Sequence, residues 1–248
     1  MVPVSVVIIT FNEAHILAKT LQSVSWASEI IIVDSGSTDG TVEVARAHGA
    51  RVLHRAFDGY GAQKHFAVQQ ATHDWILSLD ADELVSEELG REIRELLRTE
   101  PPHRGYRFPI SLVFMGRMLR YSGEYNKKFL RLFDRRAGNF TTDQVHERIQ
   151  LQGTIGTLQQ RVYHYSYENL SDFLEKQNRY SSLSAQKLLL KGKKASALKT
   201  VLRFPLTFLR IYVLRFGVLD GYPGFMWAMV MAAFTTTKYA KLREIALS

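Results

Sequence analysis

The 248-residue chain has no cysteine. Disulfides, thiolate zinc sites and cysteine nucleophiles are therefore excluded together. A charged, apolar, small-residue leader is also missing, so the expected location is the cytoplasm. The uncharged run 221–237 falls below the roughly twenty residues that a crossing helix needs. Two phosphate-binding signatures are absent as well. No G-x-G-x-x-G follows the first strand candidate and no G-x-x-x-x-G-K-[ST] occurs, which argues against dinucleotide and P-loop sites. Without a recognition helix, an RNA-binding aromatic motif or a zinc module, nucleic acid is not expected as a partner.

What is present is 46% hydrophobic and 23% charged residues, enough for one sizeable core with a smaller appendage. The charge is unevenly placed. Residues 187–248 hold eleven Lys/Arg against Asp220 and Glu244, a net of +9, so the other 186 residues supply −1 of the total +8. Such asymmetry points to a polyanionic partner at the C-terminal end.

The run Val4–Thr10 is β-branched and nearly all apolar, as expected of a strand covered on both faces. Glu29–Asp34, Arg51–Arg55 and Asp74–Leu79 repeat the pattern. Segments with helical spacing lie between them: Asn12–Val24, Asp39–His48 and Gly61–Ala71. Alternating strands and helices predict an α/β fold, a doubly wound sheet whose ligands sit outside the carboxyl ends of the strands. Polar and acidic residues gather at those ends, in Thr10-Phe11-Asn12-Glu13, in Asp34–Thr41 and in Asp80-Ala81-Asp82-Glu83.

Asp80 and Asp82 are separated by one residue at a strand end, which suits Mg2+ or Mn2+ with further oxygens from a diphosphate. The alternative is that these acids only favour the helix starting near Ser86-Glu87-Glu88. Asp34 can accept from a base N–H or a ribose hydroxyl, or can simply make its turn, and Asp39 is read as the next helix cap.

In this order and strand context, Thr10–Glu13, Val33–Thr41 and Ser78–Glu83 resemble a family 2 glycosyltransferase of GT-A fold, strongly over residues 4 to about 100. Smaller matches at Gly59–Lys64, Val145–Glu147, His164–Tyr167, Arg179–Ser181 and Leu219–Phe225 resemble a bacterial subgroup that adds β-glucose to the heptose of the lipopolysaccharide inner core. The resemblance implies a GT-A doubly wound, mostly parallel sheet over residues 1–167 that binds nucleotide-sugar and carries catalysis. Residues 168–248 would form a basic, membrane-associating helical extension.

By the same resemblance, Thr10, Asn12, Glu13 and Asp34 bind the UDP-sugar donor. Lys64 lies near the base or diphosphate, and Asp80 reaches ribose and metal. Asp82 is the principal metal ligand and His164 completes the metal shell. Phe11 stands where a tyrosine is common. Val145-His146-Glu147 occupies the region that carries x-E-D in the wider fold, so the base is Glu147, with Asp143 and His146 as alternatives. The implied chemistry is inverting transfer without a protein nucleophile, onto a lipid-linked glycan acceptor.

From Leu198 to Phe216 the chain reads as a basic amphipathic helix, with Lys199, Arg203, Thr207 and Arg210 in one arc and Pro205 set to kink or divide it. It is expected to lie on an anionic membrane surface, peripheral to the inner face of the cytoplasmic membrane, with packing on the core as the alternative. Lys176, Arg179 and Tyr180 resemble the Q-x-x-R-W motif of processive relatives with altered spacing. Rival functions are a nucleotidyltransferase, which would carry a glycine-rich basic loop after the first strand, and a nucleotide-sugar-binding protein without catalysis.

Overall fold

A computed structural model describes residues 2–142, 148–167 and 169–247. The chain opens with β1 (Val4–Thr10), α1 (Ala14–Ser23), β2 (Glu29–Asp34), α2 (Thr41–Ala47), β3 (Arg51–His54), α3 (Tyr60–Gln70) and β4 (Trp75–Asp80). These elements pair in the order β3-β2-β1-β4, all parallel. The chain thus winds outward from β1 on one side and returns to place β4 on the other, which makes the β1/β4 boundary the switch point of the sheet.

Alternation along β1 explains why the sheet is covered twice. Val4, Val6 and Ile8 point to one face and pack with Leu17 and Leu21 of α1, whereas Val7 points to the other and packs with Ala67 and Val68 of α3. A one-residue slip of register would exchange the two sets, so the pairing of β1 is firmly specified. α1 starts at Ala14 rather than at Asn12, because Asn12 takes a left-handed backbone conformation with φ of 57°.

Next come β5 (Glu83–Val85), α4 (Glu87–Leu96), β6 (Gly105–Phe114), β7 (Arg117–Met118), β8 (Lys128–Asp134), β9 (Gly138–Phe140), β10 (Ile149–Leu151), β11 (Ile155–Thr157) and β12 (Val162–His164). β8 adds to β4 antiparallel, β6 to β8 antiparallel, and β12 pairs β5 antiparallel. α4 is capped by the Ser86 hydroxyl, which accepts from Leu89 N at 3.1 Å. It buries Leu89 and Ile93 in the same core as α1.

The chain divides into two compact units, residues 1–110 with 127–164 and residues 111–126 with 165–248. The second contains α5 (Leu170–Leu190), α6 (Ala197–Leu209) and α7 (Gly221–Ile245). Its core stacks Phe173 on Trp227 with ring centroids 5.4 Å apart, and Phe114 meets Phe173 edge-on at 5.0 Å. The buried Asp220 carboxylate accepts from the backbone N–H of Arg120 at 2.9 Å and Tyr121 at 3.0 Å and from the Ser122 hydroxyl, which fixes that loop. Pro205 lies inside α6 without ending it; the chain then winds as a π-helical turn, Arg210–Leu214, and a 3-10 turn, Gly217–Asp220. Among the described residues no helix is long and apolar enough to cross a membrane.

Candidate functional site

Register places the expected residues side by side. Thr10 is level with Asp34 across β1 and β2, and Ile9 is level with Asp80 across β1 and β4. Three adjacent parallel strands therefore deliver Thr10, Asp34 and Asp80 to the carboxyl edge at the switch point.

Asp34 organises the turn that follows β2. Its Oδ1 accepts from Thr10 Oγ1 at 3.0 Å and from the Ser37 hydroxyl; its Oδ2 accepts from the backbone N–H of Gly36 and Ser37, both at 2.9 Å. Burial alone would raise this carboxyl, but the hydrogen bonds from Ser37, Gly36 and Thr10 outweigh it and hold the group below the usual carboxylate range. Gly36 makes the turn possible, since its φ of 95° disfavours any side chain. With four donors already bound, Asp34 meets a ligand N–H or hydroxyl only by releasing one of the two side-chain hydroxyls.

Asn12 and Glu13 belong to the same network. Asn12 N donates to Ser37 Oγ at 2.9 Å, and Asn12 Oδ1 accepts from Thr38 N at 2.8 Å. Glu13 N donates to Thr41 Oγ1 at 2.8 Å. The cap expected at Asp39 is shared between two helices: Gly40 holds the N-cap backbone position of α2, while Asp39 accepts from Thr41 N at 3.0 Å and from Ala14 N, the first residue of α1, at 3.1 Å. Phe11 projects from this loop and is 58% exposed, a free aromatic face at the mouth of the edge.

The acidic stretch after β4 separates into two stations. Asp80 Oδ1 meets Lys64 Nζ at 2.7 Å, and its Oδ2 accepts from Arg131 at 3.0 Å. Arg131 also donates to Glu83 Oε1 at 2.9 Å, and Glu83 Oε2 accepts from Asp80 N at 2.9 Å. Desolvation would raise the Asp80 carboxyl, but the Arg131 and Lys64 cations hold it far below the usual carboxylate range. Glu83 goes the other way. Its burial pushes the carboxyl up against the pull of Arg131, and the Asp80 charge adds to the rise.

Asp82 forms the second station with His164, whose Nε2 lies 3.2 Å from Asp82 Oδ2. β12 brings the histidine there by pairing His164 with Glu83 on β5. Desolvation would lower the His164 imidazole, but the hydrogen bond and charge of Asp82, with Glu83 and Asp80 beyond, push it up. The Thr20 hydroxyl donates to Ala81 O at 2.6 Å and thereby ties the Asp80–Asp82 loop to α1.

Asp82 and His164 offer a carboxylate oxygen and an imidazole nitrogen, a donor pair that suits Mn2+ better than Mg2+, but they are hydrogen-bonded to each other, so a cation would have to displace the proton between them. Asp80, also expected as a metal ligand, meets Lys64 through Oδ1 and Arg131 through Oδ2. Among the described residues no three His, Asp or Glu side chains gather in a ligand cluster, so Asp82 and His164 would leave most positions to donor oxygens and water. Asp143, His146 and Glu147 lie outside the described residues.

Two residues at this edge carry no local sequence signal. Arg131 occupies an alternating strand, and only the unusual presence of a guanidinium within Lys128–Asp134 marks it. Gln63 is fully buried, donates to Ser35 Oγ at 3.0 Å and Arg55 O at 2.9 Å, and leaves its side-chain oxygen without a hydrogen-bond partner. Lys176 donates to Ser166 O at 2.9 Å within the second unit.

Comparison with known proteins shows the family. A family model described as Glycosyl transferase family 2 matches residues 5–156. A protein of Rickettsia bellii named "Uncharacterized glycosyltransferase" is 34% identical over 257 residues, covering 98% of this chain and 87% of its own. The "Lipopolysaccharide core biosynthesis glycosyltransferase LpsC" of Rhizobium meliloti is 31% identical over 249 residues, covering 98% of this chain and 92% of its own. The crystal structure of S. aureus TarS residues 1–349 in complex with UDP-GlcNAc aligns over 99% of this chain and 91% of that one, at 14% identity and a TM-score of 0.48. With the family model matching well over half of the chain and with relatives above 30% identity along nearly all of it, the protein belongs to glycosyl transferase family 2.

Proposed function

We propose that this glycosyltransferase moves glucose from UDP-glucose, with inversion and with the help of Mg2+ or Mn2+, onto a lipopolysaccharide core or another membrane-linked glycan. The observation that carries the reading is the edge itself. In a family 2 chain, three adjacent strands end in Thr10, Asp34 and Asp80, with Lys64 2.7 Å from Asp80 and Asp82 paired to His164. The name of the Rhizobium relative supports the acceptor class, and the +9 of residues 187–248 supports work at the anionic inner face of the cytoplasmic membrane.

In this reading Thr10, Asn12, Glu13 and Asp34 hold the uridine side of the donor. Asp82 and His164, with Asp80, would hold the cation, which when bound supplies positive charge for the departing diphosphate. Lys64 and Arg131 place two further cations beside Asp80, where release of either from the carboxylate leaves a donor for phosphate oxygen. The acceptor hydroxyl attacks the anomeric carbon from the face opposite the diphosphate and gives its proton to Glu147, with Asp143 and His146 as the other candidates. An α-linked donor so yields a β-glycoside.

The test is to incubate purified protein with UDP-glucose, UDP-galactose, UDP-GlcNAc and GDP-mannose, and to follow release of the nucleoside diphosphate with EDTA, Mg2+ or Mn2+. Release is expected to be fastest from UDP-glucose, to stop with EDTA and to return with either metal. Asp82→Ala should lower it by on the order of a hundredfold with the fold intact, the loss of about 2.7 kcal/mol of leaving-group stabilisation. Preference for GDP-mannose overturns the donor assignment, and turnover indifferent to EDTA overturns the metal assignment.

A further inference from the structure

α6 leaves an apolar side exposed, unlike an ordinary surface helix. Leu198, Val201, Leu202, Leu206 and Leu209 are 45–70% exposed, and Leu214 in the following turn is 73% exposed. The side turned to the protein is mixed: Thr200 is buried, Thr207 and Phe208 are partly buried, Phe208 packs on Tyr212 and Phe225, and the Arg203 guanidinium lies 3.4 Å over the Tyr239 ring of α7. At about 100° per residue the exposed apolar side chains fill a continuous arc, and the exposed Lys199 and Arg210 stand along its edge. A soluble helix would turn that arc inward. Here a plane of leucine is presented outward with cations at its rim.

We infer that this face of α6 inserts among the acyl chains of an anionic phospholipid surface, with Lys199 and Arg210 at the level of the lipid phosphates. The inference rests on the peripheral-membrane reading above and changes its physical basis from surface attraction to shallow insertion. Charge decides the occupant. Exposed Lys191, Lys193 and Lys194 precede the helix and exposed Arg215 follows it, within a segment of net +9. A second copy docking through the same face would bring two such basic rims together without a counter-charge. A lipid surface supplies both what the leucines need and what the cations need. Arg203 is held on Tyr239, so it belongs to the packing of the helix and not to the lipid contact.

The absence of cysteine allows a clean probe. Leu202→Cys, labelled with an environment-sensitive fluorophore, is mixed with vesicles of phosphatidylglycerol and phosphatidylcholine or of phosphatidylcholine alone. The emission should shift to the blue on the phosphatidylglycerol vesicles and be quenched by acyl-chain quenchers. In parallel, the triple variant Leu198→Gln, Leu202→Gln, Leu206→Gln should keep the parent's melting temperature, since these side chains are exposed. It should bind phosphatidylglycerol vesicles more weakly by on the order of a thousandfold, at about tenfold per leucine withheld from the acyl region. Lys199→Gln with Arg210→Gln should weaken binding mainly at low salt. If the parent binds these vesicles but the triple variant binds equally and the probe stays in water, insertion is overturned while a purely electrostatic membrane reading stands. If the parent binds no vesicle at any salt, the membrane reading itself fails. If the triple variant instead dissolves a dimer seen by sedimentation, the face is a self-association surface and the inference is wrong.

Discussion

Arg131 shows how one side chain can hold a site in a particular state. Its guanidinium, 12% exposed, bridges the Asp80 and Glu83 carboxylates at 3.0 and 2.9 Å. Two acids this close to each other and to an apolar core tolerate burial only with a cation between them. Replacing Arg131 by Met, of similar length, leaves the buried Glu83 without its cation, while Asp80 keeps Lys64. Equilibrium urea unfolding should show a loss of about 3–5 kcal/mol, the usual result of removing one partner from a buried charge network. Adding Glu83→Gln should restore part of that loss, because it removes the group that burial already disfavours as an anion. The pH dependence has a definite sign. A carboxyl whose folded value is raised costs stability above that value, and the cost disappears as pH falls through it. The deficit of Arg131→Met should therefore shrink on acidification from neutral pH. A loss that is unchanged by acid and not eased by Glu83→Gln would place the contribution of Arg131 in packing alone.

At the scale of elements, β1, β2 and β4 were legible because each is a short apolar run that ends in turn chemistry, a composition that burial on both faces demands, whereas β3 is a half-buried edge strand marked by its place between helical segments. The edge followed from them: once the strands are parallel, the residues after each one must share a side. Beyond Leu96 the pattern is much less informative. β6 carries Pro109, and its pairing with β8 is irregular between Tyr106 and Arg107, so no simple alternation marks it. Arg131 finds its carboxylates 51 and 48 residues upstream, a partnership that no local window contains. The basic arc of α6 was readable, but which side of the helix would face outward was not, since amphipathicity describes packing and interfacial binding equally well. α7 depends on close approach. A Cβ on Gly224 would lie 2.0 Å from Gly217 O in the preceding 3-10 turn and 2.7 Å from the Asp220 side chain. The obstacle is backbone, so the turn that Asp220 anchors must shift. Gly224→Ala should lower stability by about 1–3 kcal/mol despite the better helix propensity of alanine, measured as a lower melting temperature. An unchanged or raised melting temperature would mean that the turn yields freely.

For the whole molecule, the two compact units differ in what holds them. The first has its sheet covered on both faces, by one core that contains Leu17, Leu21 and Leu89 and another that contains Ala67 and Val68. The second rests on a separate cluster around Phe114, Phe173 and Trp227. Separate cores permit separate unfolding, and a ligand stabilises only the unit that binds it. All of the residues assigned to the nucleotide and the cation among the described residues, Thr10, Asn12, Glu13, Asp34, Lys64, Asp80, Asp82 and His164, belong to the first unit. UDP with Mn2+ at about a hundred times its dissociation constant contributes roughly 2.7 kcal/mol to the state that binds it. For a unit of this size, that moves a melting transition by on the order of 5–10 °C. Differential scanning calorimetry is therefore expected to resolve two transitions, of which one rises with UDP and Mn2+ while the other stays in place. Asp82→Ala should abolish most of the shift and leave both transitions at their unliganded temperatures. A single transition that moves as a whole would show that the two cores unfold together, and a shift confined to the transition that the Gly224→Ala substitution lowers would put the nucleotide on the wrong unit.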